Sequence, residues 1–242
     1  MSFDKTFNKL CYTREPSIVF EDFLDFVIDQ FLINPSLKYF NYSKYSEKEY
    51  ELFFDLFKEL INKLDLELNN GKKWFDVLGY FYEAEVKSKM KASNMGQFFT
   101  PIDVCDVMAE LTLNPKEDNS EVKSCYDMCC GSGRLLLAHH SKRPFDICLG
   151  QDLDITSCKM AVINFILHGV KGSISHMNSI TLDWFNGWKV NEMIDYGVPF
   201  TIMECNSESE TYCFIGHNKK KEKVEIKKDK PVCKQTGQTV LM

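Results

Sequence analysis

The segment YDMCCGSGRLLLAHH, residues 126–140, predicts a strand, a tight turn and a helix in immediate succession. A strand-like segment carries Asp127 near its end, glycines follow at positions 131 and 133, and a leucine-rich segment of helical character comes directly after them. A strand, a tight glycine turn and a helix in this order are typical of open α/β sheets, which bind ligands at the carboxyl ends of their strands. Gly131 and Gly133 let a ligand approach the backbone and permit positive φ angles.

The residues around this turn predict the polarity of the ligand. Amides of the helix that begins near Ser132 favour an anionic group, whereas Asp127 favours a cation or an ammonium, so a zwitterionic amino acid fits both. In GQDLD (150–154), Asp152 ends the next strand, where a carboxylate accepts hydrogen bonds from ribose hydroxyls. Together these features predict a site for a nucleoside that carries an amino acid. For the glycine pair alone, an ordinary tight turn remains the alternative.

Strands and helices alternate through the second half of the chain. We predict strands at 123–129, 146–152 and 173–179, and helices at 133–141 and 155–168, the last of which ends at Gly169. Right-handed crossovers make this a shortened, mostly parallel, Rossmann-like α/β sheet. Two further strands, 200–205 and 211–217, are expected to pair antiparallel to each other.

The first ninety residues have a helical pattern instead. Amphipathic helices are predicted at 19–33, 46–68 and 73–91, and Ser46 with Glu49 forms a capping box for the second of them.

A fourth helix is expected to be capped by Thr100, with Pro101 at its first position, and to run to Leu113. The domains are therefore a helical region at 1–92, an α/β domain at 93–217, and a tail at 218–242. Eight lysines between positions 219 and 234 make this tail a predicted disordered segment.

Composition excludes several classes of protein. The chain has 242 residues, of which 44% are hydrophobic, and it has no apolar run of the roughly 18 residues that a membrane span needs and no secretion signal. A cytoplasmic protein without a membrane partner is expected. The ten cysteines contain no C-x-x-C spacing, so reduced thiols and no metal site are expected. The net charge of −6 requires any DNA contact to be local or supplied by a partner.

Four sequence blocks resemble one known family. NMGQFFTP (94–101), YDMCCGSGRLLLA (126–138), GQDLD (150–154) and AVINFILHG (161–169) are similar to the modification subunits of type I restriction systems and to related adenine-N6 DNA methyltransferases. The resemblance covers about residues 94–180. It implies a helical region followed by a methyltransferase sheet that binds S-adenosyl-L-methionine.

The resemblance also implies roles for individual residues. A loop that closes over the methionine end of the cofactor would contain Gln97, Phe98, Thr100 and Pro101. The cofactor would be cradled by Asp127, Gly131 and Gly133. Asp152 would bind its ribose. Asn178 stands where the family usually has an acid that meets the adenine ring, and an amide there can still hydrogen-bond an exocyclic amine.

The catalytic motif of the family is absent from this sequence. Members use Asn, Asp or Ser, then Pro-Pro-Tyr or Pro-Pro-Phe, after the fourth strand, and no such tetrapeptide occurs in the 242 residues. The remaining catalytic candidates are Pro199 and Phe200, of which Phe200 is able to stack on a base. The alternative for these two residues is the start of a strand, where proline needs no ladder donor.

Two functions remain open at this stage. The chain is either a methyltransferase of DNA adenine that works with a partner subunit for DNA recognition, or a catalytically inactive homologue that binds S-adenosylmethionine as a regulatory or assembly module. In the first case DNA contact comes from the partner or from the lysine-rich tail. A dinucleotide site is disfavoured because Leu136 takes the third glycine position of the G-x-G-x-x-G pattern.

Overall fold

A computed structural model describes residues 3–34, 36, 38–87, 99–113, 122–211 and 238–241. Its α-helices are α1 (Phe3–Leu10), α2 (Pro16–Phe31), α3 (Glu47–Asn69), α4 (Val77–Phe81), α5 (Ile102–Thr112), α6 (Arg134–His140) and α7 (Ile155–His168). Its strands are β1 (Ser124–Asp127), β2 (Ile147–Asp152), β3 (Gly172–Asn178), β4 (Asp183–Val190), β5 (Ile202–Cys205) and β6 (Gln238–Leu241). None of the helices in this part of the chain is long and apolar enough to cross a membrane.

The strands form one sheet in the order β5-β4-β3-β2-β1-β6. β1 pairs in parallel with both β2 and β6, and β2 pairs in parallel with β3, whereas β4 is antiparallel to both of its neighbours. The mostly parallel α/β class predicted from the sequence is therefore confirmed. Helix α6 connects β1 to β2 and helix α7 connects β2 to β3, as the alternating pattern predicted.

Local sequence signals explain where these helices begin and end. The Ser46 hydroxyl accepts a hydrogen bond from the Glu49 amide, and the Glu49 carboxylate accepts one from the Ser46 amide, so the predicted capping box starts α3. Asp154 caps α7 by accepting from the Ser157 amide at 2.9 Å. Gly169, with φ +67°, ends α7 in the left-handed conformation that favours glycine.

Three features of the sheet differ from the prediction. β4 is absent from the sequence-based prediction, and it forms a hairpin with β3. β5 pairs with β4, whereas the sequence predicts that 200–205 pairs with 211–217; positions 212–217 lie outside the described residues. Residues 238–241, inside the predicted tail at 218–242, form β6 beside β1, because a parallel strand edge satisfies their backbone groups. The lysine-rich part of that tail also lies outside the described residues.

The helical region and the sheet share a single hydrophobic core. Phe20 and Phe23 of α2, Phe53 of α3 and Phe165 of α7 are all fully buried and belong to one continuous cluster. α2 packs on α7, which lies against β2 and β3. The predicted helical region therefore reaches the same helix layer that supports the glycine turn.

Candidate functional site

The turn after β1 has the backbone conformation that its glycines predicted. Gly131 has a φ of +54° and Gly133 a φ of +90°, both in the region that L side chains rarely adopt. A Cβ atom added to Gly131 would lie 3.3 Å from the ring of Phe99, so the space beside this residue is also restricted. The Cys130 amide donates to the Gln151 carbonyl at 2.8 Å and fixes the turn against the end of β2.

Asp127 is a buried carboxylate at the end of β1. It is 2% exposed, and its Oδ1 accepts a hydrogen bond from the Cys129 amide at 3.0 Å. Burial raises the pKa of Asp127, the hydrogen bond from the Cys129 amide lowers it and the nearby charge of Asp152 raises it, with a net pKa of about 6. A cation placed beside Asp127 would stabilise its charged form.

Asp152 connects the end of β2 directly to the glycine turn. Its Oδ2 accepts from the Gly131 amide at 2.8 Å, and its Oδ1 accepts from the Asp154 amide at 2.9 Å. The acid and the glycine turn, which the sequence predicted to share a site, are thus in contact. A carboxylate offers about four acceptor sites, and the amides of Gly131, Leu153 and Asp154 use at most three of them, so acceptor capacity remains for a ligand. Burial raises the pKa of Asp152 as well.

Asn178 lies at the end of β3, one strand beyond Asp152. Its Oδ1 accepts from the amides of Ile180 and Thr181 at 3.0 and 3.1 Å and shapes the turn toward β4. The side-chain NH₂ is the group left for a ligand, and it is a donor. Two exposed apolar side chains flank these polar groups: Leu153, 60% exposed, follows Asp152, and Ile180 is 93% exposed.

The segment before α5 lies against the glycine turn. The Phe99 ring occupies the space beside Gly131. The Thr100 carbonyl accepts a hydrogen bond from the Arg134 guanidinium at 3.1 Å. Gln97 and Phe98 lie outside the described residues.

The start of α5 corrects the predicted cap. Pro101, with ψ 143°, is the N-cap of the helix and not its first residue, and Thr100 does not cap it. The reason is tertiary: the Arg134 guanidinium holds the Thr100 carbonyl outside the helix.

The two catalytic candidates lie at the other end of the sheet. Val190 at the end of β4 pairs with Gly172 at the start of β3, so the connection from β4 to β5 lies at the amino ends of the parallel strands. Pro199 and Phe200 belong to this connection, and the Phe200 amide donates to Asn191 at 2.9 Å. This placement keeps Pro199 and Phe200 away from the glycine turn at the carboxyl end of β1. It agrees with the alternative, because β5 begins shortly afterwards at Ile202.

Sequence reasoning missed a buried polar network under the turn. It consists of Asp76, Ser132, Arg134 and Asn164, each at most 8% exposed. The sequence pattern from Asn164 to His168 indicates helix packing alone. A usable signal was present: Asn164 is an amide within an otherwise apolar helix, and buried polar groups require hydrogen-bond partners.

Comparison with known proteins identifies the family. Residues 73–227 match the model of the N-6 DNA methylase family. Because this match spans more than half of the chain, the protein belongs to that family.

Its relatives are subunits of larger enzymes. The chain is 32% identical over 137 residues to the type I restriction enzyme MpnII methylase subunit of Mycoplasma pneumoniae, covering 52% of this chain and 24% of that protein. It is 33% identical over 101 residues to the type I restriction enzyme MjaVIII methylase subunit of Methanocaldococcus jannaschii, covering 40% of this chain and 16% of that protein. The chain thus spans a quarter or less of the length of these two relatives.

One solved structure also shows a likeness. The type I restriction-modification methyltransferase subunit of Streptococcus thermophilus is 18% identical in sequence, with a TM-score of 0.33, over 69% of this chain and 55% of that one.

Proposed function

We propose that this chain binds S-adenosyl-L-methionine at the carboxyl ends of β1, β2 and β3, as the cofactor-binding part of a DNA adenine-N6 methyltransferase. The observation that carries the proposal is the 2.8 Å hydrogen bond from the Gly131 amide to Asp152 Oδ2. It unites the glycine turn with a carboxylate that has acceptor capacity to spare. Membership of the N-6 DNA methylase family supports the same assignment.

The residues of the site fit the parts of this cofactor. Asp127, whose carboxylate is buried, would hold the α-ammonium of the methionine moiety. Asp152 would accept hydrogen bonds from the ribose hydroxyls through its remaining acceptor sites. Asn178 would donate its NH₂ to a ring nitrogen of adenine, because its oxygen is already used by two backbone amides. Leu153 and Ile180 would contact the faces of the base.

When bound, S-adenosylmethionine supplies an activated methyl group. The residues of this chain would bind and orient it: Asp127 would hold the methionine end, Asp152 the ribose and Asn178 the adenine end, and the absence of a side chain at Gly131 would let the cofactor approach the backbone of the turn. Thr100 and Pro101 belong to the loop that the family resemblance assigns to the methionine end of the cofactor. Arg134 holds the Thr100 carbonyl beside the glycine turn.

DNA recognition is assigned to a partner subunit. The net charge of −6 provides little general attraction for a polyanion, and DNA affinity depends mainly on phosphate neutralisation by Lys and Arg. The lysine-rich segment 219–234 is a second, local source of contact. A cytoplasmic location would suit this role.

A second candidate function is cofactor binding without methyl transfer, in a regulatory or assembly module. It is favoured by the position of Pro199 and Phe200 at the amino ends of the parallel strands, away from the glycine turn. The lack of a catalytic tetrapeptide in the sequence favours it as well.

Two measurements test the proposal. Titration calorimetry with S-adenosylmethionine and S-adenosylhomocysteine should show binding to the parent chain, weakened in Asp152→Ala and unchanged in Asp195→Ala. Asp195 is an exposed carboxylate at the opposite end of the sheet, where it pairs with Lys171. Absence of binding to the parent would overturn the proposal.

Transfer of a labelled methyl group to DNA, measured with and without candidate partner subunits, separates the two functions. Label in adenine-N6 supports the methyltransferase. Zero transfer by a chain that binds the cofactor supports the binding module.

A further inference from the structure

A fully buried carboxylate lies beneath the glycine turn. Asp76 is 1% exposed and precedes α4, in the helical region of the chain. It accepts four hydrogen bonds from three separate parts of the fold: from the Gly79 amide at 2.7 Å, from Ser132 Oγ and Arg134 Nε at 2.6 Å each, and from Asn164 Nδ2 at 2.7 Å. Such a set of donors satisfies an ionised carboxylate away from water.

Gly79 shows how closely the carboxylate is enclosed. A Cβ atom added to this helical glycine would lie 2.0 Å from Asp76 Oδ2. A glycine inside a helix costs about 1 kcal/mol relative to alanine. Its presence here is explained by the volume that the Asp76 side chain occupies.

Arg134 extends this network to the segment before α5. Its guanidinium donates to Asp76, to the Glu83 carboxylate at 2.9 Å and to the Thr100 carbonyl at 3.1 Å, and it lies over the Phe99 ring at 4.9 Å. A planar fork of donors is the property that distinguishes arginine from lysine at such a position. One side chain thereby joins α4, the π-helical turn at 82–87 and the Phe99–Thr100 segment to the first residue of α6.

We infer that Asp76 and Arg134 form a positioning pair that sets the glycine turn and the Phe99–Thr100 segment relative to each other. Asp76 holds Ser132, the central residue of the turn, while Arg134 holds the chain that approaches Gly131. The inference rests on the proposed function, because the geometry they set is that of the cofactor site. Neither side chain is itself assigned to the cofactor, and the pair acts through the turn and through the backbone of Thr100.

The consequence is that the helical region forms part of the cofactor site. Asp76 is separated from Arg134 by 58 residues and from Asn164 by 88, so the turn receives support from two distant segments, those of Asp76 and Asn164. A site fails when its supporting shell lets the binding groups move, even if those groups are intact.

The chain offers a matched control at the opposite end of the sheet. Asp146, 2% exposed, pairs with Arg143 at 2.8 Å and with His139 at 3.0 Å at the amino end of β2. Asp146→Asn breaks a buried ion pair of the same kind, and breaking such pairs is strongly destabilising. Asp146→Asn leaves the contacts of the glycine turn unchanged. It therefore separates the effect of general destabilisation from the effect of a displaced turn.

The test measures S-adenosylhomocysteine affinity in Asp76→Asn, Arg134→Lys and Asp146→Asn, at a temperature where each variant is folded. Arg134→Lys keeps the positive charge and loses the planar set of guanidinium donors. It is the milder variant and serves as the test should Asp76→Asn fail to fold. We expect the dissociation constant to rise about tenfold or more in both turn variants, because small displacements of binding groups are costly. Asp146→Asn should lower the melting temperature and leave the dissociation constant within about twofold of the parent.

Hydrogen exchange of the peptide that contains 131–134 provides a readout that needs no cofactor. Faster exchange in Asp76→Asn and Arg134→Lys, and parent-like exchange in Asp146→Asn, supports the positioning pair even if the parent chain binds no S-adenosylhomocysteine. Equal affinity in parent and turn variants, or equal losses in all three variants, overturns the inference. So does unchanged exchange at the turn.

Discussion

Replacing Asp127 by asparagine should stabilise the free protein and weaken cofactor binding at the same time. The carboxylate is 2% exposed, and burial raises its pKa to about 6 from the ordinary value of 3.8. At neutral pH the folded chain therefore carries a buried negative charge that is less stable there than in the unfolded chain.

The size of this effect follows from the pKa difference. A pKa that rises from 3.8 to about 6, at about 1.4 kcal/mol for each pH unit, makes ionised Asp127 cost about 3 kcal/mol in the folded state at pH 7. The substituted side chain keeps an oxygen for the Cys129 amide, so we expect Asp127→Asn to gain about 1–3 kcal/mol in free energy of unfolding. The same change removes a charge-assisted bond to an ammonium, worth about 1.5–3 kcal/mol, or about 10- to 100-fold in affinity.

The dependence of the free energy of unfolding on pH tests the direction of this effect independently. Because the pKa of Asp127 is higher in the folded than in the unfolded chain, the folded state binds the proton more tightly, and stability falls as pH rises from about 4 to about 6. The stability of Asp127→Asn lacks this fall, so the free energies of unfolding of the variant and the parent should differ most above pH 6 and least below pH 4. S-adenosylmethionine affinity of the parent should decline as pH falls through about 6.

Urea denaturation between pH 3.5 and 8, with calorimetric titration at pH 7.5 and 5.5, measures both quantities. A variant that is less stable than the parent at pH 7 would contradict the assignment of a destabilised buried charge. Unchanged cofactor affinity in that variant would contradict the contact with the ammonium.

Three further outcomes are expected. Asp152→Ala should weaken S-adenosylhomocysteine binding by about 1–3 kcal/mol, because a half-buried acceptor is lost, and calorimetry that finds parent affinity would contradict the ribose assignment. Ser46→Ala should lower the free energy of unfolding by about 1 kcal/mol through loss of the α3 cap, with no change in cofactor affinity. Deletion of 238–242 should destabilise the chain by about 2 kcal/mol, since ladder bonds beside β1 contribute about 1 kcal/mol each; an unchanged urea midpoint would show that β6 adds no stability.

The features predicted most accurately from the sequence are those that depend on neighbouring residues. The capping box at Ser46, the stop at Gly169 and the glycine turn at 131–133 depend on neighbouring residues, and each appears where the pattern placed it. The observed strand boundaries in the two βα units differ from the predicted ones by at most two residues, because the alternation of buried strands and helices is recognisable over short stretches of sequence. The same local pattern predicted that Asp127 and Asp152 lie at the ends of neighbouring strands.

The βα units, the glycine turn and the acid at the end of the next strand can be predicted from the amino-acid sequence, since short-range chemistry specifies all of them. The return of β4 beside β3, which takes Pro199 and Phe200 to the far end of the sheet, is known only from the fold, because strand direction depends on pairing and not on local propensity. The same is true of the bond between Asp76 and Arg134 across 58 residues, which exists only once the helical region has packed on the sheet.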